Sequence, residues 1–150
     1  MHTVTGTQIF YKLGTPESSD GILMNTNIRK TLTIVLTDGP YISEYAEIAY
    51  KIARTALKNY RVNIFLYLDA VHIPKIGQKT ALFRNEGDLF QELADNGVIV
   101  RACLRCATAR GYLPDENGTC PDYHTGIKIT SIHELAEMLK QSDEVISLSG

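Results

Sequence analysis

Three sulfurs and one imidazole hold most of the chemistry this chain can offer. Cys103-Leu104-Arg105-Cys106 places two thiols three residues apart, and Cys120 and His124 follow. On a helix, that first spacing puts both sulfurs on nearly the same face, one turn apart. Such a pair can form a disulfide, share or resolve a persulfide, or bind a metal. Read together, Cys103-x2-Cys106-x13-Cys120-x3-His124 has the pair-and-pair spacing of a structural zinc site. An odd total of three cysteines argues against a disulfide framework. The bland alternative is that they are small buried hydrophobes.

The neighbouring elements decide which chemistry is open. Val98-Ile99-Val100-Arg101-Ala102 is a β-branched run that delivers the chain to Cys103. A short helix is expected from Leu104 to Arg110, ending at Gly111. Cys103 then stands at a strand's carboxyl end and a helix's amino end, where free amides and the helix dipole favour a thiolate. Arg101 and Arg105 add positive charge nearby in sequence.

The same alternation runs through the rest of the chain. Leu32–Leu36 and Val62–Leu68 read as buried strands, the first closed by Asp38-Gly39-Pro40 and the second ending at Asp69. Ser43 is placed to cap a helix whose apolar face is Tyr45, Ile48, Ala49, Ile52 and Ala56. Leu89, Phe90, Leu93 and Ala94 mark a second helix, stopped at Asn96-Gly97. A long loop through Pro114, Gly118, Pro121 and Gly126 leads to a short strand at Ile127–Ile129. Ser131 and Glu134 have capping-box form, and a last strand covers Glu144–Leu148. Strands alternating with helices predict an α/β fold: three layers, α/β/α, around a mostly parallel sheet of about five strands. In such sheets the working crevice lies at the carboxyl ends of the strands, where the turns at Asp38, Asp69–His72 and Cys103 collect.

Residues 1–30 read as an N-terminal extension, with a short strand expected at Gln8–Leu13, and residues 31–150 as the α/β domain. A net charge of −2, with 44% hydrophobic and 21% charged residues, gives no pull toward nucleic acid or membrane surfaces. No apolar run reaches the ~20 residues that span a bilayer, and the first residues lack a secretory pattern. A cytoplasmic location is the expectation, and nothing calls for an organic cofactor.

The segment Val100-Arg101-Ala102-Cys103-Leu104-Arg105-Cys106-Ala107-Thr108-Ala109-Arg110-Gly111 resembles the cysteine segment of the DsrE/TusD (DsrEFH-like) sulfur-relay family, where a strand runs into a cysteine and a short helix ends in Arg-Gly. The Leu32–Leu36 strand, the Val62–Leu68 strand and the closing Leu135-x-x-x-Leu139-x-x-x-Asp143-x-Val145 segment fall in the matching order, so the likeness covers about Leu32 to Ser149. It implies a homo-oligomer (dimer, trimer or hexamer) and a sulfurtransferase role. Cys103 would carry persulfide sulfur, taken from a TusA-like or rhodanese-like donor and passed to a DsrC/TusE-like acceptor. Three features depart from the pattern: Cys106 where a small residue is common, the long loop with Cys120, and the extension. Cys106 therefore leaves a dithiol route open. Two alternatives stand beside the relay reading: a binding module with structural zinc on Cys103, Cys106, Cys120 and His124, and a thiol-disulfide oxidoreductase using Cys103 and Cys106. Asp38 and Asp69 read as turn residues and His72 as a loop histidine.

Overall fold

A computed structural model describes residues 28–150. The strand expected at Gln8–Leu13 lies outside the described residues. Five strands form one parallel sheet: β1 (Lys30–Leu36), β2 (Tyr60–Leu66), β3 (Ile99–Cys103), β4 (Lys128–Thr130) and β5 (Glu144–Leu148), in spatial order β4-β3-β2-β1-β5. The helices are α1 (Tyr45–Ala56), α2 (Glu86–Asp95), α3 (Leu104–Thr108) and α4 (Ile132–Gln141). The first four strands advance in one direction, and only the β4–α4–β5 connection returns past β1. Right-handed crossovers therefore put α1 to α3 on one face and α4 on the other. The three-layer α/β/α architecture expected from the sequence is the one observed.

The core explains the strand choice. Leu32, Ile34 and Leu36 of β1 lie in register with Val62, Ile64 and Leu66 of β2, all buried, and Val100 and Ala102 continue the row on β3. Side chains alternate along a strand, so these residues share one face. There α1 buries Ala46, Ala49, Tyr50 and Ala53; three alanines in four let the helix sit close on the sheet. Phe65, on the opposite face, is fully buried too.

Local differences from expectation have local causes. β2 ends at Leu66, because Leu68 adopts a left-handed conformation (φ +52°) and starts a 3-10 turn over Leu68–His72 that buries Ala70 and Val71. α1 starts one residue later than a Ser43 cap requires; Ser43 Oγ instead accepts the Tyr45 amide at 3.3 Å. The Ser131–Glu134 capping box does not form. Ser131 is the N-cap residue without a side-chain bond, and the Glu134 carboxylate is drawn to Arg101, 3.0 Å away. α2 gains the cap that periodicity did not show: Asn85 Oδ1 accepts the Asp88 amide.

The long loop after α3 is stitched down rather than loose. Ile76 N–H donates to Asp122 O and His124 N–H to Pro74 O, while Tyr123 Oη donates to Val71 O at 2.6 Å. Gly118 accepts the Ile129 amide at 2.8 Å, tying the loop to β4. With φ at +79°, and with a built Cβ only 2.6 Å from Ile129 O, this position admits only glycine.

Candidate functional site

β3 ends in Cys103, which is also the residue that caps α3 in extended conformation (φ −64°, ψ 124°). The junction expected from the sequence is the one observed, and it brings Cys103 and Cys106 together. The Cys106 thiol is pushed above its ordinary range by burial first and then by its hydrogen bond with Cys103; the Leu68 amide and the Arg110 charge pull the other way. Cys106 is therefore held as a thiol at neutral pH, next to Cys103. Leu68, in its left-handed conformation, turns its amide toward the Cys106 sulfur.

Both sulfurs are covered. Cys103 is 2% exposed and Cys106 9%, because the Leu68–His72 turn packs on α3 and on the end of β3. The carboxyl-end crevice anticipated from the topology is thus closed over the cysteines within this chain. Thr130 of β4 is the register partner of Cys103, so the two side chains project to the same side of neighbouring strands. Its buried Oγ1 has no hydrogen-bond partner among the described residues.

Arg110, at the end of the α3 segment, forms the cover's fastening. Its Nε and Nη2 both donate to Asp69 Oδ1, and Nη1 donates to the carbonyl oxygen of Cys106 at 3.0 Å. The arginines singled out from sequence do less: Arg101 is taken up by Glu134. Arg110 was visible only as part of the Arg-Gly ending, because its partners lie 41 residues upstream on the 3-10 turn and four residues back on α3.

Around this clamp stand His72, Tyr112, Tyr123 and Cys120. His72 Nδ1 and Tyr112 Oη share a hydrogen bond of 2.7 Å, and the Tyr112 and Tyr123 rings are 5.0 Å apart. Burial, then Arg110, lowers the His72 pKa, while burial raises both tyrosines. The trio is a neutral wall. Cys120, 2% exposed, lies beside the two tyrosines. His124 goes elsewhere: Nε2 is 3.7 Å from Asp88 and packs over Gly87, where a Cβ would stand 2.9 Å away. The four residues of the zinc alternative are not gathered, and among the described residues no group of three or more His, Cys, Asp or Glu is arranged to hold a metal ion. No helix of the described residues is long and apolar enough to cross a membrane.

The chain is 34% identical over 135 residues to an uncharacterised protein of Methanopyrus kandleri, covering 89% of this chain and 98% of that one. It is 34% identical over 116 residues to an uncharacterised protein of Methanocaldococcus jannaschii, covering 77% of this chain and 96% of that one. The crystal structure of the ychN protein from E. coli superposes with a TM-score of 0.68 at 27% identity, over 79% of this chain and 99% of that one. The profile of the DsrE/DsrF-like family matches residues 30–148, the whole parallel sheet from the first residue of β1 to the last of β5, and the chain belongs to that family.

Proposed function

We propose that this protein is a sulfur carrier, a relay sulfurtransferase that holds persulfide sulfur on Cys103 and hands it to a partner protein. The observation that carries the reading is the Cys103–Cys106 contact at the β3–α3 junction of a DsrE/DsrF-like chain. In loading, the Cys103 thiolate attacks the outer sulfur of a donor persulfide. A new S–S bond forms, the donor's S–S bond breaks, and the donor cysteine leaves as thiolate, with no net oxidation. On this reading the Cys106 thiol and the hydroxyl of Thr130, the register partner of Cys103, donate to the resulting perthiolate. In unloading, an acceptor thiolate attacks the outer sulfur and Cys103 leaves.

The partners of this reading are a TusA-like or rhodanese-like donor and a DsrC/TusE-like acceptor, and the carrier works as a homo-oligomer in the cytoplasm. Because Cys103 is covered, a partner must displace the Leu68–His72 turn to reach it.

The test is mass spectrometry after incubation with a protein persulfide donor. Wild type gains about 32 Da, one sulfur atom, and Cys103→Ala does not. Equal gain by Cys103→Ala overturns the assignment. If wild type instead accumulates a Cys103–Cys106 disulfide and free sulfide, Cys106 has attacked Cys103, and the dithiol route replaces the carrier.

A further inference from the structure

The β1–α1 turn and the start of α2 enclose a surface cavity of about 460 Å³, within the size range of small-ligand sites. Its lining includes Tyr41, Ile42, Glu47, Phe83, Arg84 and Glu86. Glu86 is 6% exposed, and its Oε2 has no hydrogen-bond partner among the described residues. A buried carboxylate oxygen without a donor costs several kcal/mol unless something supplies one. The chain around it is committed to this arrangement. Tyr41 takes a left-handed conformation (φ +64°), its Oη accepts the Glu86 amide at 3.2 Å, and its own amide serves the Glu86 carboxylate.

We propose that this cavity binds a primary ammonium carried on an apolar stem, with the Glu86 carboxylate as its counter-ion. Charge selects the sign of the ligand: Glu44, Glu47 and Glu86 line the cavity against one cation, Arg84. That guanidinium is drawn aside, 5.2 Å over the Tyr50 ring. An anion meets three carboxylates. A divalent metal ion needs several oxygen ligands at once, and the rim is apolar instead. Ile42 and Phe83 are each 72% exposed and Leu82 92%, with the Tyr41 and Phe83 rings 6.5 Å apart. An alkylammonium answers both features: its charge pairs with the Glu86 carboxylate that lines the cavity, and the stem covers the rim. The proposal is independent of the cysteine chemistry and stands or falls without it.

The experiment titrates the full-length protein at pH 8 with n-hexylammonium and, separately, with 1-hexanol, followed by calorimetry. The amine binds about 10-fold or more tighter than the alcohol, a preference that Glu86→Gln, close in shape and neutral, brings to near unity. Phe83→Ala weakens both ligands. Equal binding of amine and alcohol, no binding of either, or an amine preference that survives in Glu86→Gln overturns the proposal. A lysine-bearing apolar peptide then identifies the source. Stronger competition than by free hexylammonium assigns the ammonium to a protein side chain, and weaker competition assigns it to a small amine.

Discussion

Arg110 grips Asp69 with two of its nitrogens and so fastens the 3-10 turn after β2 to the helix after β3. A third nitrogen holds the carbonyl of Cys106. One side chain thus joins the cover of the site to the segment bearing its second thiol.

Arg110→Ala loses these bonds together. The ion pair is partly solvent-exposed, which limits its own worth, and the carbonyl bond adds to it. Urea denaturation reads a loss of about 1–2 kcal/mol. Arg110→Lys recovers less than half of it, because an ammonium cannot serve two partners as a planar fork does. Full recovery by lysine counts against the clamp.

Thr130→Val removes a buried hydroxyl that has no partner, so the variant is as stable as wild type or more so. On the sulfur-carrier reading it also loses a donor to the perthiolate. Loaded Thr130→Val sheds sulfur to dithiothreitol faster than loaded wild type. An unchanged rate removes Thr130 from the site.

Cys106 has a raised pKa, so its thiolate fraction at pH 8 is below that of a free cysteine. Alkylation with iodoacetamide, followed residue by residue by mass spectrometry, shows the Cys106 rate still rising above pH 9. A plateau near pH 8 contradicts the buried, hydrogen-bonded thiol.

Glu86 titrates at about 7, raised by burial from 4.5. The folded state binds this proton more tightly than the unfolded chain, so the contribution to stability is full below about pH 4.5 and falls as pH rises through 7. Glu86→Gln removes the penalty. It is more stable than wild type at pH 8, by about 2 kcal/mol, and the gain closes by about pH 4. Urea midpoints at the two pH values measure it. A gain equal at both refutes the titration.

Gly118→Ala meets the Ile129 carbonyl head-on at a positive φ. A loss of about 2–4 kcal/mol by urea denaturation is expected, large for one methyl group. A variant as stable as wild type shows that the loop is not anchored there.

Much of the fold was legible because its signals are local. Hydrophobic runs such as Leu32–Leu36 and Val98–Ala102 mark strands wherever they fall, and Asn96-Gly97 or Gly111 ends a helix by its own backbone preference. The Cys103 junction needed only its own flanks. Side-chain partnership was not legible. Ser131 and Glu134 have a capping box written in sequence, yet Arg101, brought alongside by the sheet, took the glutamate. Leu68 carries no turn signal, yet it takes a left-handed conformation at the start of a turn that buries Ala70 and Val71 and faces the Cys106 sulfur.

By itself the sequence determined a parallel α/β domain with two thiols at a strand-to-helix turn, since periodicity, turn residues and spacing are properties of neighbours along the chain. Only the tertiary structure decided what surrounds those thiols: a closed cover, the Arg110 clamp, an unpartnered Thr130 hydroxyl, and a separate acidic cavity at Glu86. Each of these joins residues from different strands and loops. Their proximity follows from strand order and register, which no local pattern encodes.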